Sequence, residues 1–168
     1  MTVDDTKAYL RLQTGDEDAV VARLVASARS LCEAFLGQLL LRREVVETLA
    51  SGGAWQRLGA GPVAEIAQVV RVAEDGGTAP LAVGDYAIDI DPAGDGWVRW
   101  TGAGRVRVTY RAGMAENEAD VPAGIAQGIT RLAAHLYAHR DDSVGPPAAV
   151  TALWRPFRRI RLATQVRA

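Results

Sequence analysis

Apolar positions in the first 41 residues recur with the period of a helix. Val3, Tyr9 and Leu12 can line one face of a first helix, and Thr2 with Asp5 three residues on has the form of a capping box. Gln13-Thr14-Gly15 interrupts it. Asp16, Glu17 and Asp18 then place negative charge at the start of a second helix, where the helix dipole favours it. Val21, Leu24, Ala28, Leu31 and Phe35 follow at spacings of 3, 4, 3 and 4, an amphipathic stripe. Gly37 suits the position just past its end.

The period changes to two in the middle of the chain. Tyr86, Ile88 and Ile90 alternate with Ala87, Asp89 and Asp91. Val106, Val108 and Tyr110 alternate with Arg105, Arg107, Thr109 and Arg111. Both runs predict half-buried strands. Glu44–Ala50, Ile66–Ala73 and Trp97–Trp100 are further candidates, with glycine-rich turns between them. Residues 42–112 therefore predict a small antiparallel sheet.

Helix returns beyond it. Asp120 can cap a third helix, with Pro122 in its first turn. Ile125, Ile129, Leu132 and Leu136 give its apolar face, and Arg140 suits its C-terminal end. Pro146-Pro147 opens a last short helix carrying Val150, Leu153 and Trp154, which Pro156 should stop near Arg155. The remainder, from Phe157, is expected to run extended. The predicted order is helix, helix, sheet, helix, helix, tail, with no internal repeat.

Composition narrows the function classes. The 168 residues are 49% hydrophobic and 23% charged, which fits one folded domain and excludes a disordered chain. A lone cysteine, Cys32, excludes a disulfide framework or a cysteine-rich zinc module. The longest aliphatic run, Leu39-Leu40-Leu41, is too short for a membrane span. The acidic start predicts no signal peptide and a cytoplasmic site of synthesis. Charge is uneven. Residues 1–120 hold 18 acids and 12 bases, while residues 121–168 hold 2 acids and 7 bases, all of them Arg. A basic end on an acidic chain points to a polyanion or an acidic partner surface.

The residues predict no catalytic site, no metal and no cofactor. His135 and His139 sit four apart on one helix, but no third ligand accompanies them. Ser27, Ser30 and Cys32 lie on a helix without a nucleophile elbow. Asp89–Gly96 departs from a calcium loop at its fifth and twelfth positions, Ala93 and Trp100, and reads better as a strand end and turn. Arg105, Arg107 and Arg111 share a strand face, and Arg99 is a candidate to extend it. They are candidates for contact with DNA or an acidic partner. The plainer expectation is a solvated face paired across strands with Asp89 and Asp91. Gly124 and Gly128 offer a small-residue face for close helix packing. Trp154, Phe157, Ile160 and Leu162 interleave with Arg155, Arg158, Arg159 and Arg161. Four guanidinium groups are hard to bury, so the segment suits docking on another chain, although Trp154 alone can cap the core.

The order of these motifs resembles the head–tail connector (adaptor) proteins of long-tailed bacteriophages, prophages and gene transfer agents. The likeness rests on Lys7-Ala8-Tyr9-Leu10-Arg11-Leu12, the helix end Glu33-Ala34-Phe35-Leu36-Gly37, the strand Val106–Gly113 leading to Val121-Pro122, the helix Ile125–Arg140, and the closing Leu153-Trp154-Arg155-Pro156-Phe157-Arg158-Arg159. Phe157 stands where the family usually has Tyr, and residues 52–104 carry little of the resemblance. It implies a mainly helical α+β domain: a four-helix core (1–41 and 120–155), a small β insertion (42–112) and an extended tail (156–168). It implies no catalysis. It implies a homo-oligomeric ring, usually twelve-fold, beneath the portal protein, joined to a stopper or tail-completion protein, with double-stranded DNA passing through. The segment Trp154, Arg155, Pro156, Phe157, Arg158, Arg159, Ile160, Arg161 and Leu162 would dock on the portal. The place of such a protein is the virion, not a membrane. The competing reading is a small Arg-rich nucleic-acid-binding regulator, monomeric or dimeric, with salt-sensitive affinity for DNA. An enzyme built around His135 and His139 has the least support.

Overall fold

In the computed structural model, which describes residues 1–50, 53–139 and 145–159, four α-helices and seven strands follow one another among the described residues. Two units result. A helical unit comprises Met1–Gly37 and the described residues from Glu118 to Arg159, and a sheet unit comprises Gln38–Asn117.

The helical unit contains α1 (Val3–Leu10), α2 (Asp18–Leu36), α3 (Ala123–Ala138) and α4 (Ala148–Trp154). The capping box forms: Thr2 Oγ1 accepts from the Asp5 N–H at 3.1 Å, and Asp5 Oδ2 accepts from the Thr2 N–H at 2.6 Å. Gly37 ends α2 with φ +68°, a conformation glycine adopts without steric cost. The buried stripe of α2 is Val21, Val25, Ala28, Cys32 and Leu36. It keeps Val21 and Ala28 of the predicted stripe, but Val25, Cys32 and Leu36 take the inward places expected of Leu24, Leu31 and Phe35, so Leu31 is left 44% exposed. The inward face of α3 is Ile125, Gly128, Ile129, Leu132, Ala133 and Ala134. Asp120 does not cap α3; it ends a 3-10 turn, Glu118–Asp120, and Pro122 takes the cap position. Glu118 pairs with Arg29 of α2, and Lys7 pairs with Asp18 at 2.5 Å.

The expectation of a mainly helical protein with a four-helix core and a small insertion is overturned. Among the described residues, 37% are helical and 28% strand, in two antiparallel sheets. The strands are β1 (Arg43–Leu49), β2 (Gln56–Arg57), β3 (Val63–Val72), β4 (Thr78–Pro80), β5 (Tyr86–Ile90), β6 (Gly96–Trp100) and β7 (Arg105–Ala112). One sheet has the order β1-β7-β3-β4, the other β2-β6-β5. The reason is burial. Alternate residues of β7, namely Val106, Val108, Tyr110 and Ala112, are each 0% exposed. With Leu49, Leu58, Val63, Val69, Val98 and Trp100 they form a second hydrophobic core. Burying a large aliphatic or aromatic side chain contributes about 1.5–3 kcal/mol. A stretch that buries ten residues together has a core of its own and is no appendage. The short strands β2 and β4 were not foreseen. Two residues carry no readable alternation, and β4 is exposed throughout.

Polar groups hold turns of the sheet unit. The Tyr110 hydroxyl donates to Glu47 Oε2 at 3.0 Å and accepts from the Ala60 N–H at 3.1 Å, while the Gly59 N–H donates to the same carboxylate at 2.8 Å. At the β5–β6 turn, Asp91 Oδ1 accepts from the N–H groups of Ala93 and Asp95 at 2.9 and 3.0 Å. Its Oδ2 accepts from Trp97 Nε1 at 3.0 Å. The stretch that loosely resembled a calcium loop is thus a hairpin closed by its own aspartate.

Candidate interaction surfaces

The C-terminal segment of the helical unit is built on two glycines. α4 lies against α3 where Gly128 leaves room for the Trp154 indole, and a Cβ there would overlap the ring. Trp154 is 1% exposed, its Nε1 donates to the Ile125 carbonyl at 3.3 Å, and its ring lies 5.8 Å from that of Phe35. One turn earlier on α3, a Cβ on Gly124 would stand 3.4 Å from the Phe157 ring. The small-residue face therefore receives both aromatics.

Pro156 ends α4 as expected, but the chain beyond it is not simply extended. Arg155–Phe157 forms a 3-10 turn, and Arg158 is the first extended residue. The Arg158 guanidinium lies 5.3 Å from the Phe35 ring centroid, a cation–π contact. The Arg159 N–H donates to the Leu36 carbonyl at 2.9 Å, one of the open acceptors at the end of α2. The segment is thus split by side. Trp154 is buried and Phe157 half-buried, whereas Arg155, Pro156 and Arg158 are exposed. Burying Arg side chains was the expected obstacle, and the turn removes it by pointing them outward. Ile160, Arg161 and Leu162 lie outside the described residues.

The second surface is the outer face of β7. Arg105 and Arg111 are exposed there and Arg107 is half-buried. Their neighbours differ from the expected ones. Arg111 stands opposite Glu44 on β1 and Glu65 on β3, and pairs with Glu116 at 3.2 Å. Thr48 and Val70 flank Arg107. Asp89 belongs to the other sheet and Asp91 to its β5–β6 turn. Arg99 is in that sheet too, 5.0 Å over the Trp55 ring, and does not extend the strip. The acids on β1 and β3 were missed because register across three strands is not written in any one of them.

The histidine rings lie 4.3 Å apart between centroids, tilted by 37°, and His139 Nδ1 lies 2.9 Å from the His135 carbonyl. Among the described residues no group of three His, Cys, Asp or Glu is placed to hold a metal ion. Burial pushes the Cys32 thiol up to about 12, so it stays protonated and a poor nucleophile.

No protein-family model and no curated protein matches the chain. Solved structures do. One is from the neck of an empty gene transfer agent particle computed with C6 symmetry. It is 26% identical, with TM-score 0.81, covering 97% of this chain and 91% of that one. Another, from the virion of a native gene transfer agent particle, is 26% identical with TM-score 0.76 and the same coverage. A third, from the neck of a native particle computed with C12 symmetry, is 25% identical with TM-score 0.73 and covers 97% and 94%. The chain is similar to a gene transfer agent neck component over nearly its whole length. The resemblance to head–tail connectors, read from motif order, agrees with these neck structures. Their coverage includes the sheet unit, where the motifs were weakest.

Proposed function

We propose that this protein is a structural subunit of the neck of a gene transfer agent or phage-like particle. The observation that carries the reading is the match at TM-score 0.81 over 97% of the chain to a neck component. The C6 and C12 symmetries of the neck structures support a homo-oligomeric ring. In this reading the ring sits beneath the portal, meets a stopper or tail-completion protein on its other side, and lets double-stranded DNA pass. The role needs shape and contacts, not catalysis.

Two surfaces fit it. The exposed guanidinium groups of Arg155 and Arg158, with Pro156 between them, suit an acidic groove on the portal, and Phe157 and Arg159 hold that turn in place. The strip of Arg105, Arg107 and Arg111 suits sequence-independent contact with phosphates or with an acidic neighbour. The protein's place is then the particle itself. No described helix is long and apolar enough to cross a membrane.

The test is deletion of the gene followed by electron microscopy of the particles, with negative-stain images of the purified protein. The expected result is DNA-filled heads separate from tails, and rings from the pure protein. Complete particles without the protein would overturn the proposal.

A further inference from the structure

The four-stranded sheet buries one face and leaves the other bare. Val106, Val108, Tyr110 and Ala112 of β7 point into the core of the sheet unit, so Arg105, Arg107, Thr109 and Arg111 point away from it. Strand register sets out that outer face in rows, because directly paired residues share a side. One row is Glu44, Arg111 and Glu65, the next is Val46, Thr109 and Gln68, and the third is Thr48, Arg107 and Val70. Charge is divided along the face. Arg111 is taken by Glu116, while Glu44 and Glu65 form no ion pair among the described residues, so the first row has carboxylates to spare. Arg107 and Arg105, toward the other end, have no acid opposite them. Between the ends, Val46 is 54% exposed.

This pattern does not suit DNA. A phosphate strand following Arg105, Arg107 and Arg111 would pass Glu44, Glu65 and Glu116, whose charges offset the three bases. It suits a protein surface with an acid at one end, a base at the other and an apolar group between them. The chain carries such a surface itself. On α1 the exposed residues are Asp4, Asp5, Ala8 and Tyr9, with Arg11 exposed just past its end. Tyr9 is 57% exposed. Asp5 is held by the N-terminal amine and Thr2, whereas Asp4 and Arg11 form no ion pair among the described residues. The spacings agree. Along a helix axis, Asp4 lies about 7–8 Å from Tyr9 and about 10 Å from Arg11. Along a strand, the Arg107 row lies about 7 Å from the Val46 row and about 13 Å from the Glu44 row. The last difference is within the reach of an arginine side chain.

We infer that the outer face of this sheet seats α1 of a second copy of the chain. The inference rests on the ring proposed above and names the acidic neighbour of the β7 arginines. Asp4 meets Arg105 and Arg107, Tyr9 covers Val46, and Arg11 meets Glu44 and Glu65. Each copy contributes a different surface, which is the head-to-tail contact that closes a ring.

The experiment follows ring assembly of the purified full chain by sedimentation velocity and negative-stain microscopy. Arg107→Glu alone and Asp4→Arg alone should each raise the concentration at which rings form by about tenfold or more, because each sets like charges together. Both changes in one chain should restore assembly, and circular dichroism should match the parent throughout. Tyr9→Cys and Val46→Cys, placed in separately tagged copies, should be joined between tags by a short bis-maleimide, with buried Cys32 as the silent background. Rings that form normally in both single variants, or a double variant no better than either single one, overturn the inference and leave the neck reading standing. Assembled rings without the cross-link do the same. Affinity for duplex DNA that Arg107→Glu removes while rings persist would give the face to DNA instead. No rings in the parent at any concentration would count against both readings.

Discussion

The two units dispose of their large side chains in different ways. In the helical unit the aromatics of the last turn go inward. Trp154 fills the space over Gly128, Phe157 covers Gly124, and Arg155 and Arg158 stay in water. In the sheet unit Trp97 and Trp100 are buried, yet Ile88 and Ile90 stand on an outer strand that no described strand pairs beyond β6. The comparison separates two signals that look alike in a sequence. An Arg-aromatic run can satisfy its aromatics at home and keep its charges outside, because a guanidinium rides on a long apolar stem. An apolar strand edge has no such solution, because its open groups are in the backbone.

The largest effect should come from the indole seat. Trp154→Ala is expected to lower stability by about 3–5 kcal/mol, the usual range for emptying a large aromatic site. Gly128→Ala, which overpacks the same seat, should lower it by about 1–3 kcal/mol. Urea unfolding measures both, and a change under half a kcal/mol in either, about the size of a surface substitution, would mean the seat does not hold the segment. Tyr110→Phe tests the sheet unit. It deletes a hydroxyl that bonds Glu47 and Ala60, and should cost about 1–2 kcal/mol in the same assay.

The exposed arginines should behave in the opposite way. Arg155→Ala with Arg158→Ala is expected to change stability by about 1 kcal/mol or less, the scale of the exposed cation–π contact of Arg158 with Phe35, while particles carrying it lose tails. A fold that collapses in this double variant would show the two side chains to be core elements. Arg111→Ala, which breaks a surface pair with Glu116, should cost less than about 1 kcal/mol in unfolding assays, and less again at high salt.

The smallest effect concerns Cys32. Its folded-state value of about 12 lies above the ordinary 9.0. The protonated thiol is what the fold accommodates, so its contribution is full below 9.0 and fades as pH rises toward 12. At pH 8 a thiol reagent should leave the native protein unmodified and react once urea unfolds it. Rapid labelling of the native protein would show that α2 opens locally.

Much of this molecule was legible before any coordinates. Local periodicity placed α2, α3, β5 and β7 within a few residues, because both repeats follow from backbone geometry alone. The capping box at Thr2 and Asp5 and the stop at Gly37 were equally local. The order of motifs also pointed to the connector resemblance that the neck structures share. What the chain does not carry locally, only tertiary structure decided. Three of the five inward positions of α2 moved by one residue, to Val25, Cys32 and Leu36, because the packing of α3 decided which side to cover. The sheet unit became a second core, not a small insertion, because Leu49, Val98 and Tyr110 meet only across strands far apart in sequence. Arg111 stands opposite Glu44 and Glu65 because β7 lies between β1 and β3. The open edge at Ile88 exists because nothing described in the fold lies beside it. Alternation declares that a strand has two faces, and only the assembled sheet declares which of its edges is left free.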